Sequence, residues 1–237
     1  MTKAGAKPVD DLTSLTTDIT TCRRCARLVR CREAAAVDVP KRYEGQTYWA
    51  RPISGFGDPR ARLLVLGLAP AAHGGNRTGR VFTGDRSGEW LYAALHRAGY
   101  ANRPASTGSG DDLVLDRAYV SNVVRCAPPD NKPTPKERDR CIRFLARELA
   151  LLTELRVVLA LGGFAWDGLL LAAAELDQAI PKPRPKFGHG ASADVGPWKL
   201  LGSYHVSQQN TFTGKLTEPM LDDVFARARV ITFDSAS

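Results

Sequence analysis

Four short apolar runs, at residues 63–66, 119–124, 157–161 and 199–204, punctuate the chain. The first is an unbroken apolar run and the others are mostly apolar, the pattern of a strand covered on both faces, and each leads into a polar or Gly-rich turn. Helical patterns separate them. The clearest follows Thr134-Pro135-Lys136-Glu137, a capping box with Pro at the first helical position, after which Ile142, Leu145, Leu149 and Leu152 recur at helical spacing. A second helix is expected at residues 87–97, with Trp90, Leu91, Ala94 and Leu95 inward, and a third at residues 164–176. Strand and helix in alternation predict an α/β fold built on a parallel sheet. With no repeat and no second apolar core, one domain is expected over residues 16–231, between frayed ends at 1–15 and 232–237.

The first strand runs into Gly67-Leu68-Ala69-Pro70-Ala71-Ala72-His73-Gly74-Gly75-Asn76-Arg77-Thr78-Gly79-Arg80, a loop too rich in Gly for helix or strand. Ligands of open α/β sheets bind beyond the carboxyl ends of the strands, so this loop is placed to touch one. It carries no phosphate-binding P-loop and no dinucleotide fingerprint, and the chain has no serine nucleophile elbow.

Charge narrows the partner. Lys and Arg number 33 against 25 Asp and Glu, a net charge of +8, which favours a polyanion. No apolar run approaches the roughly 18 residues that span a bilayer, and the N-terminus lacks the apolar core of a signal peptide. A reducing cytoplasmic compartment is the expectation. There the five cysteines are metal ligands or buried thiols rather than disulfides. Cys22-Arg23-Arg24-Cys25 can bind one centre from a single turn, and Cys126 with Cys141 would fasten that segment to the body of the domain. Zinc and an iron–sulfur cluster both use four thiolates; the fourteen residues between Cys126 and Cys141 are unlike a zinc ribbon and favour the cluster. On the alternative reading Cys126 and Cys141 are core thiols. Cys31 is spare.

Two polar residues stand at strand ends. Asn122 interrupts an apolar run, where an unpaired amide costs about 1–3 kcal/mol, and its paired donor and acceptor match the edge of a pyrimidine. A structural Asn bonded to nearby backbone is the competing reading. His205 opens His205-Val206-Ser207-Gln208-Gln209-Asn210; it could donate to a developing anion, with Gln208, Gln209 and Asn210 entering a DNA groove. Phe82 is either core or a plate for a base. His73, His96 and His189 are weaker candidates. The basic stretch with Lys182, Arg184 and Lys186 is suited to phosphate, as are Arg77 and Arg80 of the Gly-rich loop.

Together, Cys22-x2-Cys25, the Gly-rich loop, Ser121-Asn122-Val123-Val124-Arg125-Cys126-Ala127-Pro128-Pro129, Cys141 and the segment from His205 resemble the uracil-DNA glycosylase superfamily, most closely its family 5 of iron–sulfur type B enzymes. The resemblance spans residues 22–230 and rests on the joint occurrence of these motifs in order. It implies a three-layer α/β/α sandwich around a four-stranded parallel sheet. It implies a [4Fe–4S] cluster on Cys22, Cys25, Cys126 and Cys141, and hydrolytic excision of uracil, with hypoxanthine or other damaged bases as further substrates, from double-stranded DNA by a monomer. Ala69, Phe82 and Asn122 would bind the base, and His205 would stabilise it as it leaves. Other branches place an acidic or amide residue just after the first strand to hold the attacking water. Here Leu68-Ala69 is apolar, so Asn76 is the candidate for that task. A cluster-bearing DNA-binding protein without catalysis is the alternative.

Overall fold

The structure is a computed structural model that describes residues 10–233. In chain order the elements are α1 (Leu12–Thr20), α2 (Ala26–Val37), β1 (Phe56–Gly57), β2 (Leu63–Gly67), α3 (Gly75–Thr78), α4 (Arg86–Arg97) and β3 (Ala118–Asn122). They continue with α5 (Pro135–Leu151), β4 (Val157–Leu161), α6 (Gly163–Glu175), β5 (Ser192–Val195), β6 (Trp198–Ser203), α7 (Gln208–Phe212) and α8 (Glu218–Phe233). The sheet order is β1-β3-β2-β4-β6-β5. Its four central strands are parallel and are the four apolar runs; β1 and β5 add antiparallel edges that the sequence reading does not contain.

Alternate residues of the central strands feed two cores, which is why their apolar residues do not alternate with polar ones. Leu64, Leu66, Val158, Ala160 and Leu200 pack with Leu145, Leu149, Trp166 and Leu169 of α5 and α6. On the other face Leu63, Val65, Leu159 and Leu201 meet Leu91 and Leu95 of α4 and Val224 and Phe225 of α8. Helices therefore cover both faces, as a three-layer sandwich requires. Each such Leu or Val contributes roughly 1.5–3 kcal/mol by leaving water. Among the described residues no helix is long and apolar enough to cross a membrane.

The expected frayed ends need correction. Residues 1–9 and 234–237 lie outside the described residues, but from Leu12 the chain is helical. Asp11 and Ser14 close a capping box (Ser14 N to Asp11 Oδ1 2.7 Å, Asp11 N to Ser14 Oγ 3.0 Å), and Leu15 and Ile19 bury against Phe144 of α5. Arg147 of α5 clamps this helix through Asp10 and Asp18, at 2.6 and 2.7 Å. At the other end α8 continues through Phe233. The Gly-rich loop is also more regular than expected, since residues Gly75–Thr78 make a helical turn ended by Gly79 at φ 78°.

Candidate active site and four-cysteine cavity

A pocket of about 930 Å³, counting its open mouth, lies beyond the carboxyl ends of β2, β3 and β6. It is lined by the loop after β2 (Leu68, Ala69, Pro70, Ala71, Gly75), by Phe82, Asp85 and Ser87, by Asn122 and Asn131, and by His205, Ser207 and Gln209. This brings Ala69, Phe82, Asn122 and His205 together, residues up to 136 positions apart (69 to 205).

Asn122 ends β3 opposite Gly67 in the parallel register, 3 % exposed, and its Oδ1 has no hydrogen-bond partner among the described residues. A Cβ at Gly67 would strike that Oδ1 and the Phe82 ring, so only Gly at the end of β2 lets both side chains approach. Phe82 is buried with φ 50°, a left-handed conformation rare for an aromatic residue, and its ring stands 6.2 Å from that of His205 at 32°. Burial pushes the His205 imidazole down to about 4, so near neutrality it is uncharged and can offer an N–H.

Asp85 is the residue the sequence reading misses. It caps α4, accepting from Gly88 N at 3.0 Å, and packs against Gly74, where any Cβ would collide with its carboxylate. Burial raises its pKa, against the pull of the Gly88 and Ser87 N–H groups, making it a stronger base than an ordinary aspartate. Its signal was available: an Asp two residues before the helix expected at 87–97 is an N-cap candidate, and a helix N-terminus after a Gly-rich loop faces ligand.

Several expectations are corrected. Asn76 is fully buried and is not among the residues lining the pocket; its Nδ2 donates to the carbonyls of Arg32 at 3.0 Å and Ala72 at 3.3 Å, while its Oδ1 has no partner among the described residues. Arg77 is spent inside its own loop, donating to His73 O (2.8 Å), Gly84 O (2.9 Å) and Gln46 Oε1 (2.7 Å). Arg80 is buried against the Asp111 carboxylate and above the Phe56 ring, so neither arginine is free for phosphate. Burial opposes the charge of Asp111, but Arg80 and the N–H groups of Thr107, Leu113 and Gly108 outweigh it and hold that carboxyl below its usual range. These contacts also tie down the stretch at 106–113. Asn210 turns inward, its Nδ2 donating to His205 O at 2.8 Å, while Gln208 and Gln209 remain exposed. Lys182, Arg184 and Lys186 are exposed on a loop pinned by Trp166 Nε1 to Pro185 O at 3.0 Å.

A second cavity, of about 360 Å³ with its mouth, is lined by Cys22, Cys25, Cys126 and Cys141 together with Arg125, Arg140 and Phe144. Cys31 is not among its walls. The cysteine-bearing segment is held to α5 by the Arg27 fork on Glu137 (2.9 and 2.7 Å) and by Arg140 Nη1 on the Arg24 carbonyl at 3.4 Å. Among the described residues no three His, Cys, Asp or Glu side chains are arranged to hold a single metal ion. One tetrahedral zinc would draw four sulfurs within ~4 Å of one another. Four thiols lining one cavity, with the wholly buried Arg32 beside Cys126 and its Nε without a partner, suit a larger anionic group better. Burial pushes the thiols of Cys126 and Cys141 up, to about 11 and about 12, so deprotonating them takes a bound cation.

The family model described as the uracil DNA glycosylase superfamily matches residues 54–229 of this chain. A type-5 uracil-DNA glycosylase of Mycobacterium tuberculosis is 51 % identical over 227 residues, 95 % of this chain and 82 % of that protein. One from Thermus thermophilus is 50 % identical over 212 residues, 89 % of this chain and 94 % of the other. A type-4 uracil-DNA glycosylase of Pyrobaculum aerophilum is 28 % identical over 159 residues, 67 % of this chain and 72 % of its own length.

Proposed function

This chain belongs to the uracil DNA glycosylase superfamily, and we propose that its pocket receives a flipped base between Phe82 and Asn122 while Asp85 and His205 carry the hydrolysis. The protein is a glycosylase that excises uracil from DNA, which sets aside the reading of a binding protein without catalysis. The observation that carries the division of roles is the meeting of these four side chains in one pocket.

A base cannot be reached within the stack, so it must be turned out of the duplex. The unpaired Asn122 Oδ1 accepts the ring N–H of uracil, and Nδ2 donates to the adjacent carbonyl, satisfying an atom that is costly to leave alone. Phe82 stacks on the base, and Ala69 leaves room beside it. Asp85, made more basic by burial, takes a proton from water as the water oxygen bonds to C1′ of the sugar. The C1′–N bond breaks and its electron pair leaves with the base. The neutral His205 N–H bonds the base oxygen on which that charge collects. Lys182, Arg184 and Lys186 bind backbone phosphates, and Gln208 and Gln209 follow the groove of a duplex. Hypoxanthine, which also offers a ring N–H beside a carbonyl, is a second substrate.

Cys22, Cys25, Cys126 and Cys141 would hold a [4Fe–4S] cluster, whose contribution would be to cross-link the segment between α1 and α2, the segment after β3 and α5. The wholly buried Arg32, whose Nη1 donates to Cys126 Sγ at 3.1 Å, supports that reading. Purified protein should carry about four irons per chain with broad absorbance near ~400 nm; colourless protein with stoichiometric zinc would overturn the cluster. Incubation with a uracil-containing duplex, then alkali, should cut the strand only at uracil. Intact strands from iron-replete protein would overturn the catalytic reading.

A further inference from the structure

A buried guanidinium is tolerated when its charge is matched. Arg125 is matched, forking onto the buried Glu148 at 3.1 and 2.8 Å. Arg32 of α2, only 1 % exposed, is not: among the described residues it enters no ion pair, and the adjacent Glu33 is turned out to Arg23. Its Nη1 donates instead to Cys126 Sγ at 3.1 Å and to the Cys22 carbonyl at 3.3 Å, and its Nε has no partner. The contacts thus address two of the four cysteines and no carboxylate. The Arg32 carbonyl accepts from Asn76 Nδ2, and Asn76 sits in the loop whose Ala71 and Gly75 line the base pocket.

We propose that Arg32 is the counter-ion of the four-cysteine centre and that, with Asn76, it ties that centre to the Gly-rich loop of the base pocket. The inference rests on the cluster reading above. Four thiolates on a cubane leave the centre negative, and a cation buried at 3.1 Å from one of its sulfurs offsets that charge where water cannot. It also explains why an arginine faces inward on a short helix that has alanines to spare. Asn76 then transmits the anchorage, because its amide joins α2 to the turn that sets the loop, leaving the pocket wall ordered only when the centre is in place.

The test uses holoprotein and four readouts: iron per chain, the rate at which a chelator bleaches the visible absorbance, the reduction potential, and amide hydrogen exchange at residues 71–80. Arg32→Gln should bleach about tenfold faster or more, the loss of one charged hydrogen bond, with a more negative reduction potential and faster exchange in the loop. Arg32→Lys, which keeps the charge, should stay near wild type. Asn76→Ala should raise loop exchange while bleaching at the wild-type rate. If Arg32→Gln is insoluble, Arg32→Met fills the space without a buried polar group and should show the same rapid bleaching. Iron-replete wild type with equally slow bleaching in the Gln or Met variant would overturn the inference alone. Arg32→Lys behaving like Arg32→Gln would overturn the counter-ion role. Wild type without iron would overturn the cluster reading and this inference with it.

Discussion

Asn122 and Asp85 occupy one pocket but touch different parts of the reaction, and substitution should separate them. Asn122→Ala removes the hydrogen bonds that read the base edge, worth about 1–3 kcal/mol or roughly ten- to hundredfold in rate. Single-turnover rates on uracil and hypoxanthine duplexes should fall unequally, because the ring N–H of uracil lies between two carbonyls and that of hypoxanthine beside only one. Equal losses would return Asn122 to a structural role. Asp85→Asn acts on the water, which every base requires, so both rates should fall together while uracil-containing DNA still binds. His205 adds a pH signature. Its ordinary value of 6.5 is depressed to about 4 in the folded protein, so the imidazole is neutral throughout the range where a free histidine titrates. The chemical step should therefore show no inflection near pH 6.5 that His205→Ala abolishes; such an inflection would mean an imidazolium donor. The sign for stability follows the same shift. The unfolded chain takes the proton first, so the contribution is full above about 6.5 and is lost as pH falls toward 4.

At the scale of elements, the site depends on how closely β2 and β3 end together. Gly67 is opposite Asn122 in register, and the space a Cβ needs is held by Asn122 Oδ1 and the Phe82 ring. Gly67→Ala should cost about 1–3 kcal/mol of overpacking, lowering the melting temperature by about 2–4 °C for each kcal/mol. Its rate loss should exceed tenfold, about 1.4 kcal/mol, because the displaced groups are the ones that hold the base. A melting shift with wild-type turnover would mean that Asn122 and Phe82 can yield without consequence. Gly88 of α4 plays a comparable part, since a side chain there would collide with the Phe82 carbonyl and disturb its strained backbone.

For the whole molecule, the excess of cations matters where it is free. Arg77, Arg80, Arg32 and Arg125 are all committed inside the protein, whereas Lys182, Arg184 and Lys186 form an exposed group on a pinned loop, where Arg184 meets only the exposed Asp167 at 3.7 Å. Each phosphate neutralised contributes about 0.9 to the slope of log affinity against log salt. Replacing the three by Gln should flatten the slope by about 2–3 for uncleaved duplex and leave melting unchanged. An unaltered slope would make the loop a solvated connection.

The apolar runs at 63–66, 119–124, 157–161 and 199–204 determined the parallel sheet from sequence alone, because a strand covered on both faces cannot hide its pattern. The Thr134–Glu137 box likewise marked the start of α5, since capping is a local matter of two side chains. The short edge strands β1 and β5 left no such trace. The helix α2 was hidden because Arg32 sits among its inward residues, breaking the apolar spacing for a reason that lies in Cys126, 94 positions away. The same distance separates what could be read of the site from what could not. Asn122, His205, Phe82 and the cysteines carry chemistry in their residue types and positions. Whether an arginine is free for phosphate or an asparagine for water is a question of partners, and partners are chosen by folding. Arg80 meets Asp111, Asn76 meets Arg32, and Asp85 meets the pocket only because the sheet and the loops bring them there.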